Sequence, residues 1–139
     1  MRIDTLPVTK EIEERLLKSR EDHFLDLKSA AIAPATLQKH FVAFANTDGG
    51  ELYVGVEDEK HIGERIRGFK LHEDANELIR VLLSDTKPSV EGAQLEFLDF
   101  QKRGLVLHVY VPKSQHVHYT SAEECYIRIN ASTNRIRGE

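Results

Sequence analysis

The sequence predicts an α+β domain, and three observations carry that prediction. Three segments repeat their apolar residues at helical spacing. Five shorter ones alternate them or run apolar at strand length. The two kinds are mixed without the regular strand–helix–strand order of a doubly wound sheet, which points to helices packed on a mixed, mostly antiparallel sheet.

The first helix spans residues 8–18, where Val8, Ile12 and Leu16 recur with acids between them. Thr9 stands where an N-cap belongs, but Ile12 occupies the capping-box position, so there is no box. Residues 24–29 alternate as a short strand, with Leu25 and Leu27 on the core face and Phe24, Asp26 and Lys28 on the other. Pro34 suits the first turn of a second helix over about 35–46, with Leu37, Phe41, Phe44 and Ala45 facing the core. A strand follows over 51–57.

Residues 62–69 resist assignment, because Ile62, Ile66 and Phe69 are interrupted by Gly63 and Gly68. The third helix covers 74–84, with Ala75, Leu78, Ile79 and Leu82 on one stripe, and ends before Pro88. Residues 94–100 and 104–111 form a hairpin across Gln101-Lys102-Arg103. The last strand, 124–130, is read with Cys125, Ile127 and Ile129 inward and Tyr126 and Arg128 outward. No repeat, low-complexity tract or linker divides residues 1–139, so one domain is expected.

Composition narrows the function classes. The 139 residues are 40% hydrophobic and 30% charged, the balance of a soluble globular protein. No apolar run approaches the length of a membrane span, and Met1-Arg2-Ile3-Asp4 does not open a signal peptide. Cys125 is the single cysteine, which excludes an internal disulfide or multi-cysteine zinc site and suits a cytoplasmic protein. A net charge of −4 argues against coating nucleic acid non-specifically. Charge is unevenly placed, however: from Cys125 to Gly138 the chain carries Arg128, Arg135 and Arg137 without an acid, while acids gather before Asp26.

The sharpest constellation is Glu21, Asp26 and Lys28. Strand alternation puts Asp26 and Lys28 on one face. A carboxylate with a lysine two positions on is what many metal-dependent nucleases use, the acid holding Mg²⁺ or Mn²⁺ and the ammonium orienting water or neutralising phosphate. One carboxylate rarely suffices, so Glu21 and either Glu57 or Asp58 must converge on it. By spacing alone, an Asp/Lys pair on a strand is more often a solvated ion pair. Arg128, Ser132, Thr133, Asn134 and Arg135 read as an arginine with a polar turn that could cradle phosphate. The competing reading pairs Arg128 with an acid of a neighbouring strand. His116 and His118 have the spacing of two ligands on one strand face, but no third ligand is clustered nearby, so they read as surface loop. The other histidines receive no role.

The most informative stretch is Ala43-Phe44-Ala45-Asn46-Thr47-Asp48-Gly49-Gly50, followed by Glu51-Leu52-Tyr53-Val54-Gly55-Val56-Glu57-Asp58. It reads as a helix end, a tight Asn/Asp/Gly turn and a buried strand ending in acids. This wording resembles the signature of the Schlafen/AlbA-type putative DNA-binding domain, a helix ending "AFANT-x-GG" that leads into "hhhGVxD". Glu21 to Lys28 keeps the spacing of that family's "E-x4-E-F-K", with Asp26 and Leu27 as departures. Tyr126 to Thr133 resembles its closing "Y-x-R-h-G-S-S-T", with Asn130, which tolerates a left-handed backbone, at the glycine.

The resemblance implies a Schlafen/AlbA-like fold with one short strand in 62–69, and a nucleic-acid partner, RNA or DNA. From the nuclease-active Schlafen branch it also implies metal-dependent cleavage of RNA or tRNA. Glu21, Asp26 and Asp58 would then be both metal ligands (Mg or Mn) and catalytic acids, with Lys28 beside them, and Lys113, Arg128 and Arg135 on phosphate. The rival is a non-catalytic regulatory or assembly module of the transcription-regulator type. Homo-oligomerisation is left open.

Overall fold

The computed structural model describes residues 2–137. Its elements follow the order β1 (Thr5–Pro7), α1 (Lys10–Lys18), β2 (Leu25–Lys28), α2 (Pro34–Ala45), β3 (Gly50–Val54), α3 (Asn76–Ser84), β4 (Gln94–Asp99), β5 (Leu105–Val111), β6 (Cys125–Ile129) and β7 (Ser132–Ile136). The first five strands that pair form one sheet in the order β1-β4-β5-β3-β2. Its two central pairings are antiparallel, and each edge strand joins in parallel. β6 and β7 stand apart as an antiparallel hairpin. This is the expected α+β architecture in a single domain.

The two faces of the sheet are covered differently. Alternation along β4 and β5 sends Phe97, Leu107 and Val109 to one face, where Leu37, Phe41 and Phe44 of α2 and Leu78 and Leu82 of α3 bury them. Leu98 and Val106 point the other way, toward Leu16 of α1 together with Leu27, Val56 and Ile66. Thr9 caps α1 as expected, its hydroxyl accepting from Ile12 N at 3.2 Å. Pro34 opens α2.

α2 is apolar nearly all round because both of its sides are covered. One side meets the sheet; on the other, Val42 and Ala43 pack against Tyr126 of β6. The hairpin is thus a third layer over α2, and it reverses the inward–outward reading of the last strand. Tyr126 and Arg128 are buried, while Ile129 is 51% exposed. β1 and β7 were not foreseen: β1 is wholly exposed, and the polar segment read as a phosphate-cradling turn is the strand β7. Asn130 in the turn between β6 and β7 does take the left-handed backbone, at φ 53°. In place of a short strand, 62–69 makes isolated bridges, Val56 to Ile66 and Phe69 to Leu105. Among the described residues no helix is long and apolar enough to cross a membrane.

Candidate functional site

The signature turn between α2 and β3 is where the layers are tied together, and each of its residues holds a different segment. Asn46 Nδ2 donates to the carbonyls of His118 and Tyr126, both at 3.0 Å, and its Oδ1 accepts from His118 N at 2.8 Å. Thr47 Oγ donates to Ala43 O and accepts from Arg128 N, each at 2.8 Å. Asp48 accepts from His23 Nε2 at 2.7 Å and stands 3.6 Å from the Lys113 ammonium. Gly49 has φ +77°, and a Cβ there would lie 2.8 Å from Val111 O and Lys113 N. A Cβ on Gly50 would overlap the Phe44 ring. The motif is therefore more than a chain reversal: it fastens the 112–118 loop, the hairpin and the approach to β2.

Beneath it lies a charged cluster. Asp26 alternates away from Leu25 and Leu27 as expected, but that face is covered by α2 and the hairpin, and Asp26 is 1% exposed. The solvated ion pair that spacing suggested is corrected to a buried one. Arg128 Nη1 donates to Asp26 Oδ2 at 2.7 Å and to Thr133 Oγ at 3.1 Å. Its Nε and Nη2 donate to Asp22 O, Nη2 also reaches Leu25 O, and the guanidinium lies 4.7 Å from the centre of the Phe44 ring. With every donor direction occupied and 2% exposure, Arg128 cannot touch a phosphate; it joins the hairpin to the edge of the sheet. The acid it pairs with comes from β2, across the layers, rather than from its neighbour β7.

Lys28 Nζ stands 2.9 Å from Asp26 Oδ1 and 3.7 Å from Glu21 Oε2. The first contact is off the line of a hydrogen bond, leaving Oδ1 without one. Glu21 Oε2 also accepts from Leu27 N at 3.2 Å. His40 on α2 completes the cluster, its Nδ1 2.8 Å from Thr133 Oγ and 3.4 Å from Asp26 Oδ2. Burial, helped by the Lys28 charge and opposed by Asp26, pushes the His40 pKa down to about 4. His40 is neutral at pH 7, and Thr133, which accepts from Arg128, has its own hydrogen free for Nδ1.

Glu21, Asp26 and Lys28 thus come together as the sequence suggested, whereas Asp58 turns into its own loop, its Oδ1 accepting from Lys60 N at 2.9 Å. A hard divalent ion needs several free oxygens around it. Here Arg128 occupies one Asp26 oxygen, an ammonium lies between the other and Glu21, and among the described residues no three His, Cys, Asp or Glu side chains gather as ligands. As arranged, these donors do not suit Mg²⁺ or Mn²⁺.

The other cations read against phosphate are exposed. The Lys113 side chain is 67% exposed. Arg135 is also exposed, with Nη1 3.1 Å from Glu124 Oε2, and Arg137 is exposed beyond it. His118 corrects its reading as surface: it is buried, Nδ1 donating to Pro88 O at 2.7 Å with Ser114 Oγ 2.6 Å from Nε2. His116 is exposed. The roles of His23 and His40 were not anticipated, and no spacing could have revealed them, since their partners Asp48 and Thr133 lie on other elements.

The family model described as "Schlafen, AlbA_2" matches residues 21–137, from the first acid of the cluster to the end of the hairpin. The crystal structure of the DIP2311 protein from Corynebacterium diphtheriae shares the fold at a TM-score of 0.60 with 19% identity. That match covers 92% of this chain but 26% of the other, so the chain spans about a quarter of that protein's length. No curated protein matches the chain. A match over nearly the whole chain, on a fold whose signature turn ties its layers together, shows that this protein belongs to the Schlafen, AlbA_2 family.

Proposed function

We propose that this domain binds nucleic acid without cleaving it. Its family is associated with nucleic acid, and the observation that supports binding over cleavage is the buried Arg128–Asp26 pair. Two charged residues that a nuclease reading would aim at substrate are committed to each other inside the protein. A third, Asp58, is held by its own loop. Of the cations that the sequence set against phosphate, Lys113 and Arg135 are exposed, with Arg137 beside them, and they are carried on the loop and hairpin that the signature turn holds in register.

The test is incubation of the purified protein with labelled tRNA and labelled single-stranded DNA, each with Mg²⁺, Mn²⁺ or EDTA. Retention of intact nucleic acid in all three conditions is expected. Cleavage that appears with the metals and disappears with EDTA would restore Glu21, Asp26 and Asp58 as a catalytic set. Absence of both retention and cleavage would favour an assembly role.

A further inference from the structure

We propose that Phe24, with His23, Asp48 and Lys113, forms a stacking platform that selects single-stranded over duplex nucleic acid. The inference rests on the binding reading above and names its substrate class. Phe24 is 54% exposed, although it sits at the entrance to β2 and inside the family match, near its start. Nothing in the fold uses its ring to fill the core. Its backbone is nonetheless fixed: Phe24 N donates to Asp22 Oδ1 at 2.7 Å, and its carbonyl accepts from Glu51 N at 2.9 Å.

The ring is supported as well. His23 meets it edge-on, with centroids 4.8 Å apart and planes at 86°, and Asp48 pins the imidazole by a 2.7 Å hydrogen bond. The same carboxylate, through its other oxygen, has the Lys113 ammonium 3.6 Å away. A half-exposed phenyl ring, a locked imidazole and a solvent-facing ammonium therefore share a patch organised by Asp48. A base that stacks on Phe24 would bring its own phosphate within the neighbourhood of a cation. Because the aromatic is held before ligand arrives, little ordering cost is added on binding.

Charge explains why stacking should lead. The protein carries a net −4, and Asp22 and Asp48 lie on this patch, so counterion release from Lys113 alone is a weak drive. Every base has a π-face, and a single strand can present it to an aromatic side chain, whereas in a duplex those faces are covered by neighbouring base pairs. A platform of this kind tolerates many sequences and gives a shallow salt dependence.

The experiment is fluorescence anisotropy of the full chain with a short labelled single strand, about 12 nucleotides, and with a duplex of the same sequence, at several salt concentrations. The variants are Phe24→Ala, Phe24→Trp and Lys113→Ala, each checked by thermal melting. Phe24→Ala is expected to lose roughly five- to a hundredfold in affinity for the single strand and to leave the duplex unchanged. Phe24→Trp is expected to keep or raise single-strand affinity. Lys113→Ala should weaken both forms and flatten the salt slope by about one unit. Single-strand binding that ignores Phe24→Ala while Lys113→Ala weakens it would overturn the platform and leave the binding reading intact. Equal losses on both forms would make Phe24 a structural residue and also overturn it. No binding to either form by the unmodified protein would remove both proposals together.

Discussion

Replacing Arg128 by methionine removes the charge while keeping most of the side-chain volume, and it should be among the most damaging single changes in the domain. The guanidinium makes five hydrogen bonds, to Asp26, Thr133, Leu25 and twice to Asp22. Without it, the Asp26 carboxylate, 1% exposed with Arg128 in place, loses its 2.7 Å partner. Breaking a buried pair from one side costs about 3–5 kcal/mol. Lys28 remains 2.9 Å from the other oxygen and softens the loss, which points to the lower end, about 3 kcal/mol. For a domain of this size that corresponds to a fall in melting temperature of roughly 10 °C. Urea unfolding followed by circular dichroism measures it. The double variant Arg128→Met/Asp26→Asn, which also removes the stranded charge, should recover about 1 kcal/mol or more relative to the single variant. A single-variant loss below about 1 kcal/mol, with no recovery in the double, would refute a sealed ion pair as the fastening of the hairpin.

Other consequences can be checked in the same preparations. Alanine at Gly49 or Gly50 should lower the unfolding free energy by about 1 kcal/mol or more, the first through its positive φ and the second through the Phe44 ring. Asn46→Ala should leave amides of β6 exchanging faster with solvent than those of β4 and β5, because the side chain bridges to the hairpin and not to the central strands. His40 titrates near 4 in the folded protein against about 6.5 unfolded. Its contribution is therefore complete above pH 6.5 and is lost as pH falls toward 4, at most about 3 kcal/mol; His40→Gln should flatten the stability profile between pH 6.5 and 5. Arg135→Ala should weaken binding to all sequences alike and reduce the salt slope by about one unit.

The elements readable from periodicity are those with one covered face. The third helix shows its stripe of Ala75, Leu78 and Leu82, with Ile79 packed beside them, and β5 shows Leu105, Leu107, Val109 and Val111 on the face that α2 and α3 bury. Alternation along β2 was equally readable, but alternation says that a strand has two faces, not what lies over each. The cover over Asp26 comes from Arg128, 102 positions away, and no local pattern contains that. The same layer made Tyr126 an inward residue while Ile129 faces solvent, against the usual order of hydrophobicity. β7 escaped notice because Ser-Thr-Asn-Arg carries no apolar alternation, and its pairing with β6 supplies the order instead. Conversely, Gly49 and Asn130 were readable from chemistry alone, since each stands where the backbone is left-handed.

Amide chemical-shift mapping by NMR tests the division between internal fastening and external contact most directly, with two titrations on one labelled sample. A single-stranded oligonucleotide should shift the amides around His23, Phe24, Asp48, Lys113 and Arg135. Mn²⁺, whose unpaired electrons broaden nearby signals, should then spare Glu21, Asp26 and Asp58. Selective broadening at those three acids, with oligonucleotide shifts centred on them, would contradict the account and identify a metal-dependent site where we find a buried ion pair.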